Sequence, residues 1–240
     1  SRKLSRAKRK ACDQADHIIA ISESTKRDLT EIFGVEPSKV SVIHLAGGLN
    51  VPNGNVPQSS TPYLLHVGSR AGYKNFRTLL SALAEVDSFM GGSLSLVVVG
   101  GGAPSRLEMR QIEDLRLPKN QIKWLSGDDS LLARLYAGAS ALVYPSIYEG
   151  FGLPALEAMS AGCPVIAGLN SSLPEVVGES GVLVDTNNHG EIAQAIHLVL
   201  TEENFRSELI QRGKEQSSRF SWDSVAERTL RVYEELVSSK

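Results

Sequence analysis

Short apolar runs alternate with helical patterns along most of this chain, from residue 62 onward. The helical segments carry apolar residues at positions i, i+3, i+4 and i+7, as at Phe76, Leu79, Leu80 and Leu83. Strands separated by helices are joined by right-handed crossovers, which produce a parallel sheet covered on both faces. The sequence therefore predicts an α/β fold, a doubly wound parallel sheet with the strands Tyr63–Val67, Leu94–Val99, Ile122–Leu125, Ala141–Tyr144, Val165–Ala167 and Val182–Val184.

The stretch 144–167 carries the densest chemical pattern. It ends one strand, continues as a predicted helix Pro154–Ala161 that stops at Gly162, and enters the next strand. Glu149 lies in the loop before this helix, and Glu157 lies one turn inside it. We therefore expect both carboxylates near the carboxyl end of a parallel strand, where open α/β sheets bind ligands.

The residue types in this loop favour a phosphate flanked by hydroxyl groups. Gly150 and Gly152 let main-chain N–H groups approach a ligand closely, and a helix N-terminus attracts an anion. Carboxylates accept hydrogen bonds from sugar hydroxyls. The alternative is that Glu149 and Glu157 are solvated carboxylates at a helix end.

The whole run EGFGLPALEAMSAGCPVI resembles the E-x7-E signature of the retaining, family 4 glycosyltransferases of GT-B fold, also called glycosyltransferase group 1. The resemblance implies a Rossmann-like domain that binds a nucleotide-sugar donor, together with part of a second α/β domain. It also implies a metal-independent reaction that retains the anomeric configuration. The residues that carry it are Glu149, Gly150, Phe151, Gly152, Leu153, Pro154, Glu157, Ala158 and Gly162.

Two cations follow the first strand of the domain, in the segment HVGSRAGYKN. The diphosphate of a sugar nucleotide is the leaving group, so cations aimed at it would stabilise the charge that develops there. Arg70 and Lys74 resemble the family's Arg/Lys pair that holds the donor diphosphate, in a loop made flexible by Gly68 and Gly72. The alternative is a pair of surface cations before a helix.

Further donor contacts are implied by the resemblance. Glu157 would hold the ribose hydroxyls, Glu149 would lie near the transferred sugar, and the loop around Lys123–Asp128 would meet the base. Trp124 could stack on that base or lie in the core. The sugar–phosphate pocket would be lined by the amides of Phe151, Gly152 and Leu153.

Three glycines follow the second strand, Gly100, Gly101 and Gly102. They would either bring the backbone near the donor or form a tight strand-to-helix turn. The donor base stays open between GDP-, UDP- and ADP-sugars. The segment SRAGYKN suggests GDP-mannose.

Composition excludes several other classes of protein. The formal net charge of −2 gives no general attraction to nucleic acid. No apolar run approaches the roughly 20 residues of a membrane span. The two cysteines, Cys12 and Cys163, are too few for a disulfide framework, which favours a cytoplasmic setting. Asp128 and Asp129 open a helix, where capping is the simpler role, so the sequence predicts no metal site and no cofactor.

Shifts in composition predict the domain organisation. Residues 1–46 contain a β-α-β unit that looks like the end of the family's N-terminal, acceptor-side domain. Residues 47–61 form a linker rich in Gly, Pro and Asn, and residues 62–220 form the donor-binding domain. Residues 221–240 form a helix that in the family crosses back to the N-terminal domain. About fifty residues cannot complete a Rossmann-like domain, so we expect the remaining acceptor-side portion to be missing here or supplied elsewhere.

The first ten residues, SRKLSRAKRK, carry six basic residues and no acidic ones. They predict either the exposed face of a helix or a surface attracted to anionic lipid head groups. The second alternative would place the protein peripherally at the inner face of the membrane.

The sequence thus predicts the donor-binding half of a retaining glycosyltransferase that acts on an acceptor glycan or a lipid-linked saccharide. One alternative is a nucleotide-sugar-binding module that needs a partner chain, and another is a GT-B epimerase acting on the same donors. A glycosidase would need two carboxylates facing each other across a glycosidic bond, which does not suit a glutamate placed beside a phosphate-type loop.

Overall fold

The computed structural model describes residues 2–49, 61–70, 72–91 and 93–238, which form eight strands and ten α-helices. The strands are β1 (Ile18–Ala20), β2 (Val40–Val42), β3 (Tyr63–Val67), β4 (Ser95–Val99), β5 (Ile122–Leu125), β6 (Ala141–Tyr144), β7 (Val165–Gly168) and β8 (Val182–Val184). The helices are α1 (Arg2–Gln14), α2 (Glu23–Phe33), α3 (Phe76–Met90), α4 (Arg106–Asp114), α5 (Asp129–Gly138), α6 (Leu153–Ser160), α7 (Leu173–Val177), α8 (His189–Thr201), α9 (Glu203–Ser217) and α10 (Trp222–Ser238).

The chain divides into two compact units, of which the first comprises residues 1–46 and 220–240. In this unit β1 and β2 pair in parallel and are connected through α2. Ser22 caps α2, because its hydroxyl accepts a hydrogen bond from the amide of Thr25. Gly34 ends the helix with a φ of 69°, a left-handed conformation that favours glycine.

The last helix, α10, belongs to the first unit. Arg228 on α10 donates a hydrogen bond to the carbonyl of Val42 at 2.7 Å. Val232 is buried, whereas Tyr233 and Val237 are 58% and 76% exposed. The far end of α10 thus presents apolar side chains to solvent.

The second unit, residues 47–219, is built on a six-stranded parallel sheet in the order β5-β4-β3-β6-β7-β8. The strand order reverses between β3 and β6, which lie side by side in the sheet. The connections after these two strands therefore lead to opposite faces and leave a crevice at the carboxyl edge, the usual ligand site of such sheets. This topology brings residues 68–74 close to residues 145–152.

The sheet is buried on both faces, as a doubly wound arrangement requires. Leu142 and Val143 are neighbours on β6, point to opposite faces, and are both 0% exposed. On one face, Val143 packs in a core with the apolar stripes of α3 and α8, which include Leu80 and Ile196. The predicted doubly wound α/β fold is therefore confirmed.

Some sequence-based bounds differ from the structure. The helical sequence after β8 forms two helices, α8 and α9, because Glu202 has a φ of −99° and a ψ of 90° and interrupts the helical backbone. The helix predicted as Pro154–Ala161 begins and ends one residue earlier. Most of the predicted linker, residues 50–60, lies outside the described residues, and the predicted domain boundaries stay predictions. None of the helices formed by the described residues is long and apolar enough to cross a membrane.

Candidate functional site

The crevice between β3 and β6 contains a buried ion pair. The ammonium of Lys74, which follows β3, lies 2.6 Å from Oε1 of Glu149, which follows β6. The side chains of both residues are 11% exposed. The reversal of strand order explains why two residues 75 positions apart in the sequence meet here. Lys74 is therefore not one of the surface cations that the sequence left as an alternative.

A tyrosine completes this contact. Lys74 also donates a hydrogen bond to the hydroxyl of Tyr144, the last residue of β6, at 2.6 Å. Tyr144 is buried, and burial and the nearby carboxylate of Glu149 raise the pKa of its hydroxyl far above the usual value. The phenol thus stays protonated and neutral beside the lysine.

Two serines that follow β7 form hydrogen bonds with the backbone of the loop that carries Glu149. The hydroxyl of Ser172, which is fully buried, donates to the carbonyls of Glu149 and Phe151 at 2.9 and 2.8 Å. The amide of Glu149 donates to the hydroxyl of Ser171 at 2.7 Å. These contacts fix the backbone around the first carboxylate of the E-x7-E motif. The sequence analysis did not identify either serine, although NSSLPEV follows the next strand of the same edge.

Arg70 contacts a different set of residues from Lys74. Its guanidinium lies against the loop after β4 and donates to the carbonyls of Gly100, Gly101 and Ala103 at 2.7, 3.2 and 2.9 Å. Its Nε donates to Oε1 of Glu108 on α4 at 2.6 Å. These partners differ from those of Lys74, and they use at most four of the five N–H groups of the guanidinium. Joint contact of Arg70 and Lys74 with a diphosphate stays a prediction.

The three glycines of this loop adopt left-handed backbone conformations, with φ of 93°, 71° and 72° at Gly100, Gly101 and Gly102. A Cβ atom at Gly100 would lie 3.1 Å from the carbonyl oxygen of Gly68, so the loops after β3 and β4 approach each other through backbone atoms. Nothing lies within 4 Å of a Cβ built at Gly102. Both predicted reasons for these glycines, a tight turn and backbone contact with a ligand, remain compatible with this geometry.

The remaining predicted residues lie around the same edge. Phe151 is buried, Gly152 with a φ of 115° is the cap of α6, and Leu153 is its first residue. Lys123 lies within β5 and is exposed, rather than in the loop after that strand. Trp124 lies partly in the core, with its ring 5.8 Å from that of Phe76 and 4.9 Å from the guanidinium of Arg70.

In the described part of the chain, no hydrogen bond or ion pair joins Glu157, on α6, to Lys74 or Arg70. The hydroxyl of Tyr136 on α5 donates to its Oε2 at 3.1 Å. Burial raises the pKa of Glu157, and the charge of Asp129 adds to this effect, whereas the hydrogen bond from Tyr136 opposes it. The sequence analysis did not assign Tyr136.

Asp128 caps α5, since its side chain accepts a hydrogen bond from the amide of Leu131 at 2.9 Å. This is the simpler of the two roles that the sequence left open. Across the described ranges, no three His, Cys, Asp or Glu side chains are grouped so that they could hold a metal ion.

His66, on β3 beside the crevice, has an unusual environment. It is completely buried, its Nδ1 donates to the carbonyl of Val143 at 3.3 Å, and its Nε2 has no hydrogen-bond partner among the described residues. Burial lowers the pKa of His66 to about 4, and the charges of Lys74 and Arg70 act in the same direction. The imidazole is therefore neutral in the folded protein at neutral pH.

This burial predicts a pH-dependent stability. The unfolded chain takes up a proton at His66 near pH 6.5, whereas the folded protein does so only near pH 4. The contribution of the neutral imidazole is fully present above about pH 6.5 and is lost as the pH falls toward 4, on the order of 3 kcal/mol in total. Urea unfolding between pH 7 and 4 should show a shallower fall for His66→Asn than for wild type. His189→Asn, at an exposed histidine, is the control. Equal slopes for His66→Asn and wild type would contradict the prediction.

The comparisons with known proteins agree with this geometry. Residues 51–216, more than half of the chain, match the family of glycosyl transferases group 1, and residues 1–46 match glycosyltransferase family 4. The O-antigen chain mannosyltransferase B of Escherichia coli is 29% identical over 245 residues, which cover 97% of this chain and 64% of that protein.

Solved structures show the same fold. Sucrose-phosphate synthase from Thermosynechococcus elongatus superposes with a TM-score of 0.83 at 24% identity, over 100% of this chain and 63% of that one. HepE from Anabaena, in complex with UDP and glucose, superposes with a TM-score of 0.74 at 22% identity, over 93% of this chain and 63% of that one. The chain thus spans less than two thirds of the length of each of these proteins. From the match over residues 51–216 and the fold they adopt, the chain belongs to the glycosyl transferases of group 1.

Proposed function

We propose that this chain is the donor-binding part of a retaining, family 4 glycosyltransferase that moves a sugar from a nucleotide-diphosphate sugar to an acceptor saccharide. The observation that carries the proposal is the buried pair of Lys74 and Glu149 at the reversal of strand order. A lysine and a carboxylate that are both removed from water, at the usual ligand site of such a sheet, are typical of a functional site.

In this proposal Lys74 stabilises the negative charge of the leaving diphosphate. As the bond to the anomeric carbon breaks, negative charge grows on the distal phosphate, and an ammonium close to it stabilises that charge. In the structure the carboxylate of Glu149 contacts this ammonium. Donor binding would exchange this carboxylate for a phosphate oxygen, and the released Glu149 could then accept hydrogen bonds from the hydroxyls of the transferred sugar. The hydroxyl of Tyr144 keeps Lys74 in place during the exchange.

The helix that follows the loop supplies the other donor contacts in this proposal. The amides of residues 151–153 lie at the N-terminus of α6, where aligned N–H groups favour the phosphates. Glu157, one turn further along, holds the ribose hydroxyls. Attack on the same face as the departing phosphate would retain the anomeric configuration. Arg70 and Lys74 would take the place of a divalent ion as the positive charges that stabilise the leaving phosphate.

The choice among GDP-, UDP- and ADP-sugars as the donor rests on the names of the relatives. The E. coli relative is named a mannosyltransferase, which agrees with GDP-mannose as the proposed donor. Its name also places it in O-antigen chain synthesis, which suits a glycan or lipid-linked saccharide as acceptor. A lipid-linked acceptor would lie at the cytoplasmic face of a membrane. That the basic helix α1 is attracted to such a lipid stays a prediction. Liposome binding that is unchanged when the basic residues 6–10 are replaced by glutamine would dismiss it.

A nucleotide-sugar-binding module that needs a partner chain is the second candidate. The chain spans 64% of the mannosyltransferase, and its described residues form a two-stranded unit besides the donor domain. Donor binding and sugar transfer should be measured separately on this 240-residue chain. Binding without transfer supports the module, and both together support the enzyme.

A panel of nucleoside diphosphates tests the donor assignment. A ligand at 100 times its dissociation constant should raise the free energy of unfolding by about 2.7 kcal/mol. We expect one of GDP, UDP and ADP to raise the melting temperature well above the other two, with GDP the proposed one. The matching nucleosides, which lack phosphates, are the control. No shift with any diphosphate at millimolar concentration would refute donor binding by this chain.

A further inference from the structure

Tyr136 is a buried phenol that contacts one of the proposed donor-binding carboxylates. It lies on α5, is 0% exposed, and donates its hydroxyl to Oε2 of Glu157 on the neighbouring helix α6 at 3.1 Å. A hydroxyl in a packed interior cannot turn toward water, so this contact is what satisfies it. The geometry therefore ties the orientation of Tyr136 to that of Glu157.

The hydrogen bond from Tyr136 holds one of the two carboxylate oxygens of Glu157, Oε2. An ionised carboxylate offers about four acceptor positions on its two oxygens, so one bond to Oε2 leaves room for ligand hydroxyls. Among the described residues, the hydroxyl of Tyr136 is the one side-chain donor that contacts the carboxylate of Glu157. A long glutamate side chain otherwise samples several rotamers, and ordering it costs free energy when a ligand binds. A carboxylate that is already ordered avoids that cost.

We infer that Tyr136 is a positioning residue for ribose recognition, which orients Glu157 to accept the two vicinal hydroxyls of a ribonucleotide. This inference rests on the proposed function, in which Glu157 binds the donor ribose. Tyr136 itself does not touch the nucleotide. Its hydroxyl makes the chain discriminate a ribonucleoside diphosphate from the 2′,3′-dideoxy analogue of the same base.

Calorimetric titration of the full chain with GDP and with 2′,3′-dideoxy-GDP tests this, or the uridine pair if the panel above selects UDP. Tyr136→Phe should weaken binding of the ribonucleotide about tenfold, the loss expected for a hydrogen bond to a charged group. Binding of the dideoxy analogue should change less than twofold. The ratio of the two affinities therefore falls about tenfold. A residue with a merely structural role would weaken both ligands equally and leave the ratio unchanged.

Tyr63→Phe is the matched control. Tyr63 is also a buried tyrosine that contacts α5, but its hydroxyl donates to the backbone carbonyl of Leu135 at 2.7 Å. This variant loses a comparable buried hydrogen bond and should keep the wild-type ratio of affinities.

Glu157→Gln separates failure of this inference from failure of the proposed function. A lower ratio in Glu157→Gln together with a wild-type ratio in Tyr136→Phe overturns the inference and leaves the ribose assignment of Glu157 intact. A wild-type ratio in Glu157→Gln removes the ribose assignment itself, and the inference with it. A lower ratio in both variants, with Tyr63→Phe unchanged, supports the inference.

Discussion

Lys74→Ala is expected to lower the rate of sugar transfer by about 10²–10³-fold. The ammonium is the cation that the structure places at the reversal of strand order, and removing one group that stabilises a developing oxyanion typically costs that factor. The effect should appear in kcat as well as in donor affinity, because the charge on the leaving phosphate is larger in the transition state than in the bound donor.

Lys119→Ala is the matched control for that variant. Lys119 has a side chain that is 70% exposed and pairs with Glu113 on the surface, so its removal should leave transfer unchanged. Release of nucleoside diphosphate, followed with and without acceptor, measures the rate. If the 240-residue chain binds donor without transferring, the same comparison is made by affinity, where we expect a loss of about tenfold or more. A Lys74→Ala variant within threefold of wild type by either measure would refute the assignment.

Glu149→Ala is expected to lower the free energy of unfolding by about 3–5 kcal/mol. Removing one partner of a buried ion pair leaves the other charge without compensation in a medium of low dielectric constant. The loss should appear in urea unfolding as a lower midpoint with an unchanged slope. This is a large effect for one loop substitution, since most exposed positions tolerate a change within about 0.5 kcal/mol.

A double variant separates stability from function at this pair. Replacing both members by apolar residues of similar volume, as in Lys74→Met with Glu149→Leu, leaves no uncompensated charge and is often close to neutral. We expect it to recover more than half of the stability that Glu149→Ala loses, while the rate of transfer and the affinity for a diphosphate stay as low as in Lys74→Ala. A double variant that is no more stable than Glu149→Ala would show that the ion pair is not the source of the loss.

The sequence predicts that Lys74 and Glu149 lie at the same edge of the sheet, but it does not predict that they form an ion pair. Alternating strands and helices predict a doubly wound sheet, and residues that follow its strands must collect at one edge. Lys74 and Glu149 both follow strands directly, so their proximity depends only on strand order. The ion pair itself, with Tyr144 as a third member, depends on side-chain rotamers that no local pattern specifies.

Arg70 shows the limit of motif reasoning in this chain. It resembles a phosphate-binding arginine by its place after β3, yet its strongest partners come from the next strand-loop-helix unit, 30 to 38 residues further on. Glu108, which accepts from Arg70, also closes the capping box of α4 with Ser105. The pattern S-x-x-E in the sequence predicts this capping box. That the same glutamate binds Arg70 follows only from the packing of α4 against the loop.

Tyr136 and Ser172 were missed for a related reason. Each is a polar residue in an apolar context, on elements that the sequence places in the core, and its partner lies 21 to 23 residues away on another element. The only sequence signal is that a buried hydroxyl needs a partner, which says that a contact exists and not with which residue.

Calorimetric titration of one nucleoside, its monophosphate and its diphosphate into wild-type chain and Lys74→Ala tests the central claim most directly, namely that a diphosphate binds beside Lys74. We expect the wild-type chain to prefer the diphosphate over the nucleoside by about a hundredfold or more, and Lys74→Ala to lose most of that preference while nucleoside affinity is retained. Lys119→Ala should behave as wild type. An undiminished preference for the diphosphate in Lys74→Ala would contradict the account.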